Sequence, residues 1–240
     1  MTEVTRLTAI RLKIRMMKHI RPSFSPLTNL RPHGIVVIGN KMPGVVGVIL
    51  VGGKARRFNG TDKSELMLGS KTCLEWTVEV LTDHVDEIVL AVDRSDRYDH
   101  AKNYTVIFDW PSEKNQQGVA LAILGSLAWA KKAGYRSVIS TPVDTPLLPQ
   151  DYVSLLTREF DGHRPSVFKT PGGLQGLHAI WPVSCFDKIQ AAVLHEGIFK
   201  ISSLHAALKS NEILVPDTRS YRFTNVNNET GLRIAKQYIS

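Results

Sequence analysis

The stretch Leu50-Val51-Gly52-Gly53-Lys54-Ala55-Arg56-Arg57-Phe58-Asn59-Gly60-Thr61-Asp62-Lys63 decides how this chain is read. It continues the apolar run Val45-Val46-Gly47-Val48-Ile49-Leu50-Val51, which has the length and branching of a strand buried on both faces, as in a parallel sheet. Gly52 and Gly53 carry no Cβ, so the backbone there can take positive φ and close on a ligand. Their N–H groups can form an anion-binding nest. Arg56, Arg57 and Lys63 follow and can neutralise what the nest holds. A buried strand ending in two glycines and then cations is a design for binding phosphate.

Two better-known phosphate loops are excluded. The spacing Gly-x-x-x-x-Gly-Lys-Ser/Thr does not occur, and neither does Gly-x-Gly-x-x-Gly after a strand.

Beyond the loop, strands and helices alternate. The pattern predicts a helix over 72–83, a strand over 87–92, a strand over 104–108 ending in Asp109, and a helix over 118–134 closed by Gly134. A strand over 137–140 leads into Thr141-Pro142-Val143-Asp144-Thr145-Pro146, followed by a helix over 149–160. A last helix is expected over 229–238 with Asn228 as its cap. Strands joined by helical crossovers give a parallel, mostly buried sheet. Ligands of such sheets sit at the carboxyl ends of the strands. Gly52-Gly53, Asp109 and Asp144 are all expected there.

At 240 residues the chain is long enough for one sizeable α/β domain. The net charge of +8 is concentrated in the amino-terminal arm: residues 1–43 hold eight cations and one anion, leaving 22 cations against 21 anions in the rest. The body is nearly neutral, so its charge gives no reason to expect a nucleic-acid partner. The arm (Pro22, Pro26 and Pro32 among its residues) reads as a basic extension, 1–43, disordered or loosely attached to a domain over 44–240. A membrane-surface helix and a transit-like presequence are the competing readings. No apolar run is long enough for a membrane span. Cys73 and Cys185 are far apart and fit no metal-binding spacing, which reads as two reduced thiols of a cytoplasmic protein.

The order strand, Gly-Gly, x-x-x-Arg, Asp-Lys resembles the signature loop of nucleotidyltransferases. Gly-Gly-Lys-Ala-Arg-Arg continued by Asp62-Lys63 resembles the molybdenum cofactor guanylyltransferases of the MobA type. The Pro-x-Asp-Thr-Pro segment at 142–146 and Phe223-Thr224-Asn225-Val226-Asn227, near that family's Phe-x-Asn-x-Asn, extend the likeness over about 45–240. It implies a three-layer, Rossmann-like nucleotidyltransferase fold with a mostly parallel central sheet. It also implies transfer of GMP from GTP to Mo-molybdopterin, with Mg²⁺ as cofactor, pyrophosphate as product, and a molybdoenzyme or chaperone as a possible further partner.

On that likeness Leu50, Val51, Gly52, Gly53, Lys63, Asp109 and Asp144 bind the nucleotide. Arg57, Lys63 and Asp144 act on the chemistry, and Asp144 holds the metal. A carboxylate between two prolines has a fixed aim, and Mg²⁺ accepts one carboxylate plus phosphate oxygens. Asn225 and Asn227 share a face if the segment is extended, and so are expected to meet the acceptor.

The chain departs from the family pattern at several points. Arg57-Phe58-Asn59 stands for Arg-Met-Gly, Gly118-Val119-Ala120-Leu121-Ala122 for Gly-Pro-Leu-Ala-Gly, and Ala91 for an Asn, with Asp93 nearby. The resemblance implies a strand over 179–183, but the family's His-Pro pair before it is missing, and His178 reads as a structural histidine at a strand start. Two alternatives stay open. One is a sister enzyme, transferring CMP to molybdopterin or a nucleotide to a sugar or polyol phosphate. The other is a nucleotide-binding protein without turnover.

Overall fold

A computed structural model of the chain describes residues 43–51, 57–58, 61–92, 103–111, 118–158 and 160–239, with the backbone alone at 57, 58 and 61. The central strand is β1 (Val45–Leu50), buried at every position. Its side chains divide by parity. Val46, Val48 and Leu50 enter one apolar cluster, while Val45 and Ile49, with Val51 just beyond, enter the other. This two-sided burial is why the sequence shows a continuous apolar run rather than an alternating one.

Short pairings follow: β2 (Arg57–Phe58) with β3 (Thr61–Asp62), then β4 (Met67–Leu68) with β5 (Lys71–Thr72). The main sheet continues with β6 (Glu87–Val92), β7 (Thr105–Phe108), β8 (Ser137–Pro142), β9 (Ser166–Thr170), β10 (Gly173–Pro182) and β11 (Asn211–Leu214). Among the described residues it has seven strands in the order β11-β9-β10-β8-β1-β6-β7. β1 pairs parallel with β6 and β8, β6 with β7, and β9 with β11. β10 is antiparallel to both β8 and β9, so it alone is reversed. The carboxyl ends of β8, β1, β6 and β7 therefore lie side by side on one edge. Between β8 and β1 the order reverses, which in an open α/β sheet opens a crevice.

Helices cover both faces. α1 (Cys73–Thr82) starts with a capping box: Glu75 N–H donates to Thr72 Oγ1 at 3.1 Å, and Thr72 N–H to the Glu75 carboxylate at 2.7 Å. α2 (Val119–Ala133) ends at Gly134 with φ +84°, as its glycine predicts. α3 (Tyr152–Thr157), α4 (Phe186–Leu194), α5 (Ile201–Ala207), α6 (Asp217–Ser220) and α7 (Glu229–Gln237) complete the set. α2, α4 and α5 pack with Trp181 on one side of the sheet; α1 and α3 pack with Phe168 and Phe223 on the other. The result is the three-layer, Rossmann-like arrangement expected from the sequence.

Several boundaries differ from the sequence reading. β10 begins at Gly173 rather than 179, because it already pairs there with Thr170 of β9. β8 runs on through Pro142 because it pairs with β1 up to Leu50, and a proline is tolerated at a strand's last position. The helix expected over 149–160 is only α3, because the chain turns first: Tyr152 N–H donates to the Pro149 carbonyl at 3.0 Å. Asp151, at the helix start, accepts two hydrogen bonds from Arg219, at 2.6 and 3.1 Å, and makes no side-chain cap.

Candidate functional site

Backbone hydrogen bonds tie the carboxyl ends of the strands together. Val51 N–H donates to the Ala91 carbonyl at 2.9 Å, Val143 to Leu50 at 3.2 Å, and Asp109 to Val92 at 3.2 Å. Leu50, Val51, Asp109 and Asp144 thus share one edge of the sheet. Gly52 and Gly53, which follow Val51 in the chain, lie outside the described residues, as does the Arg57 side chain.

Lys63 opens a short 3₁₀ turn, Lys63–Glu65, after β3. Asp62 caps this turn, its Oδ1 accepting from Ser64 N–H at 2.9 Å and from the Ser64 hydroxyl at 2.7 Å. That cap fixes the backbone at Lys63, and it explains in physical terms why an Asp precedes the lysine. The Lys63 side chain is 9% exposed and crosses to the end of β8, where Nζ lies 3.5 Å from Asp144 Oδ2. The same ammonium donates to Asn227 Oδ1, 164 residues away in sequence. Three residues picked out from separate motifs therefore meet at one point.

The Asp144 loop is held from three sides. Val143 N–H is bonded to β1 as above, Thr145 Oγ1 donates to the Pro142 carbonyl at 3.0 Å, and Val226 N–H donates to the Asp144 carbonyl at 2.7 Å. Val226 is buried with Leu68, Leu147 and Ala235, which pins the Asn225–Asn227 segment, while Asn225 and Asn227 themselves are exposed. Asn228 caps α7, accepting from Gly231 N–H at 2.9 Å. A Cβ on Gly231 would lie 2.2 Å from the Asn225 carbonyl oxygen, so only glycine allows α7 this close to the segment.

Asp109 stands apart from the trio. Three strand spacings separate β7 from β8, roughly 14 Å. That span is on the scale of a bound nucleotide rather than of a second ligand on one ion. Among the described residues no cluster of three or more His, Cys, Asp or Glu could hold a metal alone. Asp144 offers a partly exposed hard oxygen donor, with the Asn227 amide beside the same lysine. This donor set fits Mg²⁺ when most ligands come from phosphate and water.

Cys73, at the start of α1, is buried near the pair. Burial first, and the Asp144 charge second, push its thiol up to about 12, against a smaller opposing pull from Lys63. It stays protonated at neutral pH and is no nucleophile. Both cysteines are free. His178 is buried in the core, where desolvation drives its pKa down to about 3, in keeping with its reading as a structural residue. Sequence distance hides the contacts that gather the site, namely Lys63 with Asn227 and Asp144 with Val226. Their partners are 82 or more residues apart. No described helix is long and apolar enough to cross a membrane.

Known proteins resemble this chain in sequence and in fold. The chain is 28% identical over 189 residues to a molybdenum cofactor guanylyltransferase of Acidiphilium cryptum, covering 79% of this chain and 92% of that protein. It is 30% identical over 191 residues to one of Burkholderia vietnamiensis, covering 76% and 92%. Its fold matches the molybdopterin-guanine dinucleotide biosynthesis protein A of Archaeoglobus fulgidus with a TM-score of 0.62 at 23% identity, over 80% of this chain and 97% of that one. The profile of the MobA-like NTP transferase domain matches residues 47–211, and the chain belongs to that family of nucleotidyltransferases.

Proposed function

We propose that this enzyme transfers GMP from GTP to Mo-molybdopterin, with Mg²⁺ as cofactor and release of pyrophosphate. The observation that carries the reading is the meeting of Lys63, Asp144 and Asn227 at the carboxyl edge of the sheet. The names of the similar proteins supply the nucleotide and the acceptor.

In this reaction an oxygen of the acceptor's phosphate attacks the α-phosphorus of GTP. The new O–P bond forms as the bond to the β-phosphate oxygen breaks, and pyrophosphate leaves with the electron pair. The nucleophile is supplied by the substrate, so the protein needs to position and neutralise rather than to activate a side chain. Lys63 contributes a fixed positive charge for the growing charge on the leaving group. Arg57, after the Gly52-Gly53 pair, adds a second, while the two glycines with Leu50 and Val51 cradle the phosphates. Asp144 would hold the Mg²⁺, whose chemistry is charge neutralisation across the phosphate oxygens. Asp109, farther along the edge, is placed for the nucleoside end. Asn225 and Asn227 face the acceptor, and Asn227 also orients Lys63. On this reading 44–240 is the catalytic domain of a cytoplasmic protein. The basic 1–43 segment is an extension of that domain, and a molybdoenzyme or its chaperone is the further partner.

A sister transfer, of CMP to molybdopterin or of a nucleotide to a sugar or polyol phosphate, is the second reading, and one feature bears on it through the fit of the acceptor. Gly118-Val119-Ala120-Leu121-Ala122 opens α2 with Ala122 packed against the core where the related pattern has a glycine. The test is incubation with each of GTP, CTP, ATP and UTP, with MgCl₂ and Mo-molybdopterin, reading pyrophosphate and product mass. The guanylated product with stoichiometric pyrophosphate is expected. A cytidylated product would move the chain to the second reading, and no pyrophosphate with any nucleotide would end both.

A further inference from the structure

Beneath the Asp144 loop lies a buried polar cluster that the reaction scheme does not use. The Tyr152 hydroxyl is 3.1 Å from Thr141 Oγ1, 3.2 Å from the Ser140 carbonyl oxygen and 3.2 Å from His178 Nδ1. Tyr152, Thr141 and His178 are at most 2% exposed. Proton bookkeeping assigns the donors. The hydroxyl has one proton, and the Ser140 carbonyl can only accept, so Tyr152 donates to Ser140. Thr141 and His178 must then both donate to the Tyr152 oxygen, which places the His178 proton on Nδ1. Every partner of this hydroxyl is then satisfied, as a buried network requires.

The cluster adjoins the segments that carry both supports of Lys63. Thr141 lies three residues before Asp144 on the same strand end. On the other side, the His178 ring meets Phe223 edge-on at 5.2 Å, and Phe223 lies four residues before Asn227. Phe223 also packs on Phe168 at 5.1 Å, which packs on Tyr152 at 5.4 Å, closing a ring of contacts. The reversed strand β10 carries His178 into this cluster.

We propose that Tyr152 and His178 are positioning residues, which together set the aim of Asp144 and Asn227 on Lys63. The inference rests on the metal-holding role given to Asp144 above. His178 acts here through its Nδ1 proton, as a neutral ring.

The test uses the full chain and four variants: Tyr152→Phe, His178→Leu, His178→Asn and Asp144→Ala. Two readouts are the MgCl₂ concentration for half-maximal thermal shift by GTP and for half-maximal pyrophosphate release. A loss of folded fraction moves neither. Tyr152→Phe and His178→Leu are expected to raise both at least tenfold. His178→Asn, whose amide N–H replaces Nδ1–H, should stay within threefold. Nitrogen-15 spectra of the wild-type chain should show His178 protonated on Nδ1. Folded Tyr152→Phe and His178→Leu proteins with unchanged Mg²⁺ dependence would overturn the proposal, as would a bare Nδ1. Should Tyr152→Phe fail to fold, the His178 pair and the spectrum decide. Asp144→Ala separates the two levels: if it leaves Mg²⁺ dependence unchanged, the reading of Asp144 itself falls. If it abolishes the Mg²⁺ response while the core variants behave as wild type, only the positioning role falls.

Discussion

Replacing Asp144 by alanine and replacing Lys63 by methionine remove the same ion pair, yet they should not cost the same stability. At the 3.5 Å separation of Lys63 Nζ and Asp144 Oδ2, an effective dielectric near 20 gives an attraction of about 5 kcal/mol before desolvation is counted. Desolvation cancels much of it, so what matters is the state of the group left behind. Asp144→Ala strands an ammonium whose side chain is 9% exposed, with the Asn227 amide as its remaining partner in this trio. Lys63→Met strands a carboxylate that is 21% exposed and already reaches water, and it fills the lysine's space with an apolar chain.

Breaking a fully buried pair costs roughly 3–5 kcal/mol, and partial exposure reduces this to about 2–3 kcal/mol for Asp144→Ala and about 1 kcal/mol or less for Lys63→Met. For a chain of this size the first corresponds to a Tm lower by roughly 5–10 °C. The double variant should cost less than the two singles together by about 1–2 kcal/mol. Urea unfolding of the four proteins at pH 7, extrapolated linearly to water, measures all three quantities. If Lys63→Met proves as destabilising as Asp144→Ala, or if the singles add within ~0.5 kcal/mol, the pair is not coupled in the way described. Both single variants should also lose nucleotidyl transfer, which gives an independent check on their role.

Other outcomes follow from the packing. Gly231→Ala places a Cβ 2.2 Å from the Asn225 carbonyl oxygen; it should destabilise by about 1–3 kcal/mol and lower the rate of transfer, read by urea unfolding and pyrophosphate release. Gly125→Ala drives a Cβ to 2.4 Å from the Phe108 carbonyl oxygen and 2.9 Å from Trp110 N. It should displace Asp109 and raise the KM for GTP more than it lowers kcat. Stability should fall in mild acid. His178 and His205 are held neutral by burial, their pKa values lowered to about 3 and about 4, so below pH 6.5 the unfolded chain binds protons that the folded chain refuses. Unfolding free energy should therefore drop between pH 6 and 4.5 by up to about 2.7 kcal/mol per pH unit from these two groups, measured by urea titration. A flat profile would mean that the rings reach water. Cys73, with its thiol near 12, should resist a thiol reagent at pH 8 in the folded chain and react on unfolding.

What the sequence revealed, and what it hid, separates along one physical line. β1 was legible because burial on both faces leaves an unbroken apolar run, and the helix over 119–133 because a glycine had to close it at positive φ. Asn228 could be read as a cap because capping is local. Strands β9 and β11 left no such mark, since both are short and β11, at the sheet edge, exposes alternate residues. Within the site, Lys63, Asp144 and Asn227 were each visible as chemistry in search of a place. Asp62 beside Lys63 reads as part of a binding motif, and the structure adds that its carboxylate caps the turn. Tyr152 carried no signal at all, because a tyrosine at a helix start gives no sign of which strand its hydroxyl will reach.

A lysine as buried as Lys63 is costly unless its charge is answered, and this constraint links stability to chemistry. The fold answers it twice, with Asp144 from the end of β8 and Asn227 from the segment before α7. Both partners arrive because strand order, not sequence distance, decides what stands at the carboxyl edge. The same arrangement makes Lys63 useful. An ammonium already stripped of water and fixed on two sides meets a phosphate oxygen with little further loss of solvent or freedom. A more exposed lysine would be cheaper to fold but would have to shed its hydration with every turnover. The Lys63–Asp144 contact is therefore best understood as a charge held ready, and any substitution that frees Lys63 to solvent should improve the chain's tolerance of losing Asp144 while weakening its grip on a triphosphate.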